Sequence, residues 1–230
     1  MSWEDNVRKM VPYVAGEQPK NKKQIKLNTN ECPYPPAPGV KRLAQNMDCD
    51  ALRLYPDCDA TPLVDALAAY YGVRPEQIFV GVGSDDVISM AFMTFFNSEK
   101  PILFPDVTYS FYDVWAKLHR IPYRTCALTD DWKIRPEDYL HPNGGIIFPN
   151  PNAPTGVLES LETVEKIVAA NRDVVVIVDE AYIDFGGESA LPLVEKYDNL
   201  LVVQTFSKSR AMAGVRIGFC IGNEKLIRYL

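Results

Sequence analysis

A chain of 230 residues, 47% of them hydrophobic, has enough apolar mass for one large or two small domains around a sizeable core. A formal net charge of −6 gives no basic face for nucleic acid or an anionic membrane, so neither is expected as a partner. The opening MSWEDNVRKM has no apolar signal core, no run approaches the roughly 18 apolar residues that span a bilayer, and the five cysteines are scattered and show no metal-type pairing, which together read as a reduced, cytoplasmic chain. With only two histidines, His119 and His141, a Ser-His-Asp site or a histidine metal site is poorly supplied, and no metal is expected.

Residues 1–40 are polar and proline-spotted, carry no sustained period, and read as an N-terminal arm. In ATPLVDALAAYYG, Thr61 as N-cap, Pro62 in the first turn and Gly72 past the end frame an apolar-faced helix. Strands are expected at Ile78–Val80, Ile102–Phe104, Ile121–Leu128, Gly145–Phe148, Val174–Val178, Leu200–Val203 and Arg216–Ile221, with helices near Asp85–Phe96, Tyr109–His119 and Leu161–Asn171. Alternation of helices with fully apolar strands defines an α/β fold: a mostly parallel seven-stranded sheet with helices on both faces, over residues 41–222. Tyr70, Tyr71, Phe92, Phe95 and Phe96 read as core. In the last segment, GNEKLIRYL, Asn223 is an N-cap and Leu226, Ile227 and Leu230 follow at helical spacing, so residues 223–230 read as the start of a helix leading to a C-terminal domain that this sequence lacks.

Sheets of this kind hold ligands at the carboxyl ends of their strands. VVVIVDEAY delivers Asp179 there, with Tyr182 three residues on; GGIIFPNPNAPTG delivers Asn150; LLVVQTFSK delivers Lys208, with Arg216 eight residues later; IFVGVGSDD opens a helix at Ser84 and Asp85. Singly these features carry little, because a lone loop lysine is ordinarily solvated and a GxG before a helix is ordinarily a tight turn. Together they supply what pyridoxal phosphate requires: an amine to form an imine, a carboxylate to keep the ring nitrogen protonated, and an anion cradle. A helix N-terminus has unpaired N–H groups and about half a positive charge, which suits a phosphate even in an acidic protein.

The segments NPNAPTG, VDEAYIDF and FSKSRAMAGVRIG resemble, in order, motifs of the fold-type I, class I/II aminotransferases. YVAGEQP, IKLNTNECPYPP, RLYPD, GVGSDD and PDVTYSFY are similar, more narrowly, to the histidinol-phosphate aminotransferase family. That resemblance implies a pyridoxal-phosphate-dependent transferase large domain that passes an amino group from histidinol phosphate to 2-oxoglutarate in histidine biosynthesis. It implies that Lys208 is the Schiff-base lysine and proton carrier, that Asp179 pairs with the pyridinium nitrogen, and that Asn150 and Tyr182 bond the ring hydroxyl oxygen. Tyr109 would stack on the ring, and the phosphate would be held at Ser84 and Asp85 by backbone N–H groups, by Thr205 and Ser207, and by Arg216. Tyr55 would reach the phosphate of a neighbouring subunit, which implies a homodimer with shared sites, and Tyr13 and Asn30 belong to the segment that covers the substrate. The sequence departs from the family at Val82, usually asparagine, at Asp86, commonly glutamate, and at Cys32, an asparagine elsewhere. The family's C-terminal domain supplies the arginines that grip substrate, and they have no counterpart in these residues. A related enzyme acting on aromatic amino acids, a threonine-phosphate decarboxylase, and a non-catalytic binding domain of the same fold remain as alternatives.

Overall fold

The structure, a computed structural model, describes residues 2–10, 16–17, 20 and 25–230. Seven strands form one sheet: β1 (Ile78–Gly81), β2 (Ile102–Pro105), β3 (Tyr123–Cys126), β4 (Ile146–Pro149), β5 (Val176–Asp179), β6 (Leu200–Thr205) and β7 (Gly218–Gly222). Their spatial order is β1-β7-β6-β5-β4-β2-β3, and every strand runs parallel to its fellows except β7, which is antiparallel to both β1 and β6. The expected α/β architecture, a mostly parallel seven-stranded sheet, is therefore present, with one antiparallel strand.

The central strands are buried on both faces, which is why they read as unbroken apolar runs rather than alternating ones. Val176 and Val178 of β5 join one core with Phe148, Leu200 and Val202, roofed by Val164, Ile167 and Val168 of α5 (Leu161–Ala170). Ile177, one residue out of phase, joins the opposite core with Ile147, Leu201 and Val203, under α3 (Ser84–Phe95) and α4 (Phe111–His119). Each such Val, Ile or Leu side chain contributes about 1.5–3 kcal/mol of burial, so the sheet centre is the rigid part of the molecule. A smaller cluster packs Leu67 and Ala68 of α2 (Thr61–Tyr71) on β1 and β7. Among the aromatics expected in the core, Phe92 and Phe96 are fully buried, whereas Tyr70 is exposed.

Several boundaries differ from expectation for local reasons. Thr61 is the first residue of α2 and not its cap: Ala60 occupies the cap position with φ 49°, and the Asp57 carboxylate accepts the Thr61 N–H at 2.8 Å. β3 is shorter than the run at 121–128, and β7 starts at Gly218 because Arg216 sits at φ 59° behind a single helical turn, Ala213–Val215. α1 spans Pro38–Gln45, and α6, Glu224–Ile227, is capped by Asn223, whose side chain accepts the Lys225 N–H.

Gly218 fixes how α3 meets the sheet. Paired with Thr205 on one side and Gly81 on the other, it lies at the edge where the parallel strands end. A Cβ there would fall 2.2 Å from the Ser84 nitrogen and 2.3 Å from the Gly83 carbonyl carbon. Both are backbone atoms, so Gly218→Ala must displace the start of α3. We expect a loss of roughly 1–3 kcal/mol of stability, measurable by urea denaturation.

Candidate active site

The carboxyl ends of β4, β5 and β6, with the N-terminus of α3, enclose a cleft of about 210 Å³. Of the residues expected at a site, Ser84, Asp85, Tyr109, Asp179, Tyr182, Thr205, Ser207, Lys208 and Arg216 all line it. They arrive from distant parts of the chain because adjacent parallel strands end at the same edge: Pro149 pairs with Asp179, and Asp179 with Val203.

Lys208 lies on the loop between β6 and β7, which is pinched at its base where the Phe206 N–H donates to the Ile217 carbonyl at 3.0 Å. Its Nζ donates to the Thr29 carbonyl at 3.1 Å and stands 5.5 Å from the Tyr182 ring centroid. Behind the loop, the Gln204 amide donates to Glu180 at 2.9 Å and accepts from Tyr71 at 2.6 Å, while Arg210 donates to the Tyr71 hydroxyl and lies over Phe206. Burial pushes the Glu180 carboxyl up to about 7 against three donors, Ala190 N–H, Ser189 and Gln204. This buried network supports the lysine loop from below.

Asp179 is 4% exposed. Its Oδ2 accepts from the Tyr112 hydroxyl at 2.9 Å and its Oδ1 from the Ala181 N–H at 3.1 Å. Burial lifts its carboxyl to about 6; those two hydrogen bonds and the Lys208 charge oppose the rise, and Asp85 adds to it.

At the other end of the cleft no side chain caps α3, whose N-cap is Gly83 at φ 90°. Ser84 and Asp85, whose first-turn amides have no side-chain cap, line the cleft. At φ 90° Gly83 disfavours any side chain, and a Cβ there would lie 2.4 Å from Arg216 Nη2 and displace the guanidinium. Arg216 Nη1 donates to Ser207 Oγ at 3.4 Å, and Nη2 stands 3.9 Å from the Asp85 carboxylate. Thr205 Oγ1 accepts the Ser207 N–H at 3.1 Å. The Tyr109 hydroxyl donates to Asp85 Oδ1 at 2.8 Å. Asp86 accepts the Val82 N–H at 2.9 Å, so it closes the turn despite being shorter than the family's glutamate, and Val82 itself is exposed.

Three of the described expected residues, Asn150, Tyr55 and Asn30, do not line the cleft. The Asn150 amide donates to the Glu159 carbonyl at 3.2 Å and accepts the Glu159 N–H at 2.8 Å, so it staples the following loop, and Ala153 lines the cleft. Tyr55 is fully exposed and touches no cleft residue of its own chain. Tyr13 lies outside the described residues. Asn30, at φ 50°, lines a neighbouring pocket and donates to the Tyr182 hydroxyl at 2.9 Å. Sequence reading missed Thr29 and Glu31, which line the cleft from the aperiodic arm, and Tyr112 beneath Asp179.

A primary amine, a buried carboxylate and an uncapped helix end meet in this cleft, and the chain belongs to the class I and II aminotransferase family, whose pattern residues 22–230 match. Within that family it is 59% identical to histidinol-phosphate aminotransferase 1 of Hydrogenovibrio crunogenus, over 98% of this chain and 63% of that protein. It is 52% identical to the histidinol-phosphate aminotransferase of Lactococcus lactis subsp. cremoris, over 100% of this chain and 65% of that one. The chain thus spans just under two thirds of the length of the curated relatives it matches. Among solved structures, the histidinol-phosphate aminotransferase from Sinorhizobium meliloti in complex with pyridoxal-5'-phosphate superposes with a TM-score of 0.80 at 25% identity, covering 87% of this chain and 56% of that one.

Proposed function

We propose that this chain is the cofactor-binding part of a pyridoxal-phosphate-dependent transaminase that moves an amino group from L-histidinol phosphate to 2-oxoglutarate, in histidine biosynthesis. The observation that carries the reading is the convergence of Lys208, Asp179 and the uncapped α3 N-terminus on one cleft. A phosphorylated pyridine aldehyde needs all three, and the donor set fits it. The choice of substrate rests on similarity to the H. crunogenus and L. lactis proteins.

When bound, the cofactor supplies an electron sink that makes the substrate Cα–H bond labile. Lys208 would hold the cofactor through its Nζ, and the same amine is placed to act as the general base and acid toward the substrate Cα proton. Asp179 would hold a proton on the ring nitrogen, Tyr109 would bear on the ring face, and Tyr182 would bond the ring oxygen. The Ser84 and Asp85 amides, Thr205, Ser207 and Arg216 hold the phosphate. Asn30 and Tyr13 cover the substrate.

A homodimer in the cytoplasm completes the proposal. Tyr55 is exposed together with Leu27, Leu43, Leu52 and Leu54, a set of apolar side chains that a second copy would bury while Tyr55 reaches its cleft. Among the described residues no helix is long and apolar enough to cross a membrane.

Supplying the protein with pyridoxal phosphate, histidinol phosphate and 2-oxoglutarate, with its mass in solution followed by light scattering, tests both parts. The expected result is glutamate formed from a species of twice the chain mass. Preferential turnover of phenylalanine, or loss of carbon dioxide from phosphothreonine, would contradict the substrate assignment, and a monomer would contradict the dimer.

A further inference from the structure

Tyr112 is one of the largest side chains buried without exposure, and sequence patterning alone assigns it to the core between Phe104 and Tyr109. Its ring does belong there. Its hydroxyl does not, because it leaves the apolar cluster and donates to Asp179 Oδ2 at 2.9 Å across 67 residues of sequence. A phenylalanine would fill the same core volume, so packing does not account for the oxygen.

We propose that Tyr112 is a positioning residue for Asp179: its hydroxyl, with the Ala181 N–H on the other oxygen, fixes the plane of the carboxylate and holds it in the charged form toward the cleft. The inference rests on the reading of Asp179 as the partner of a cationic ring nitrogen. A carboxylate this deeply buried is costly to keep ionised, and hydrogen bonds to the charged form are what offset that cost. The charges around it do not suffice. Lys208, from the loop after β6, favours ionisation, while Asp85, from α3, disfavours it and the adjacent Glu180 lies behind it in its own network. The Tyr109 hydroxyl donates to Asp85, and the Tyr182 hydroxyl accepts from Asn30. The mutual effect is visible on the phenol, which burial and the facing carboxylate push well above the ordinary tyrosine range, so it stays a donor at every physiological pH.

The test compares the native chain with Tyr112→Phe. In the cofactor-free protein carrying ¹³C-labelled aspartate, with the Asp179 resonance assigned by its loss in Asp179→Asn, the Asp179 titration should move up by roughly one to two pH units in Tyr112→Phe, the worth of one hydrogen bond to a charged group. Binding supplies a second readout. Tyr112→Phe should weaken pyridoxal phosphate about tenfold or more while leaving its 1-deaza analogue, which has no ring nitrogen to meet Asp179, within about twofold. An unmoved Asp179 titration, or equal losses for both ligands, overturns the proposal and leaves Tyr112 a packing residue. Should Tyr112→Phe not fold, the native chain still decides. The ¹³Cζ resonance of Tyr112 should follow the Asp179 titration near pH 6, and a flat response overturns the link. Failure of the native chain to bind pyridoxal phosphate would sink the cofactor reading instead, while the titration of Asp179 would still report on Tyr112.

Discussion

Replacing Lys208 by alanine should leave the chain folded and abolish its covalent capture of pyridoxal phosphate, with transamination lowered by at least about four orders of magnitude. The size follows from losing two roles at once, since general base catalysis alone is worth about 10²–10⁴-fold and the covalent attachment adds to it. Folding should survive because the side chain is only partly buried and, among the described residues, gives up one hydrogen bond, to the Thr29 carbonyl, worth about 1 kcal/mol. Visible absorbance of the loaded protein and a glutamate assay measure the two consequences, with circular dichroism as the control for folding. A variant that kept the absorbance of the native protein would show that another amine carries the cofactor.

Asp179→Asn should move stability and function in opposite directions. In the folded chain the Asp179 carboxyl takes up its proton near pH 6, above its ordinary value of 3.8. The folded state therefore binds more protons than the unfolded one between about pH 4 and 6, so stability falls as pH rises through that window and is flat above it. The difference of about two pH units corresponds to roughly 2–3 kcal/mol at neutral pH. Asparagine carries no charge to desolvate, and its carbonyl oxygen can still accept from Ala181 or Tyr112. The ligand-free variant should accordingly melt higher than the native chain above about pH 6, with the gain disappearing near pH 4. The same change should cost about 10²-fold or more in transamination, because an amide cannot hold the ring nitrogen protonated. Calorimetry across pH together with the glutamate assay checks both signs; equal stability at pH 8 would contradict the burial argument.

Much of this arrangement is legible in the sequence because it follows from strand periodicity. Val174–Val178 and Leu200–Val203 are apolar runs too short for helices, and whatever follows them must emerge at the sheet's carboxyl edge, which is how Asp179 and Lys208 can be found without coordinates. What periodicity does not carry is where a side chain is already spent. Asn150 stands at the expected strand end, and its amide also bonds the Glu159 backbone nine residues later, a pairing set by how the proline-rich loop folds back. Tyr112, at helical spacing with Tyr109 and Trp115, carries no sequence signal of its own, because its ring packs in the core and only its hydroxyl leaves it. Thr29 and Glu31 lie in a stretch without either period, so nothing local predicts that this stretch reaches Lys208. The antiparallel β7 is likewise hidden, since an antiparallel strand buried on both faces has the same composition as its parallel neighbours.

The most direct test of the central claim, that the cleft at the ends of β4, β5 and β6 holds pyridoxal phosphate on Lys208, is a peptide map of the native chain after borohydride reduction in the presence of the cofactor. The account predicts one adduct, on the peptide that contains Lys208. An adduct on another lysine, or none on a well-folded protein, would contradict it.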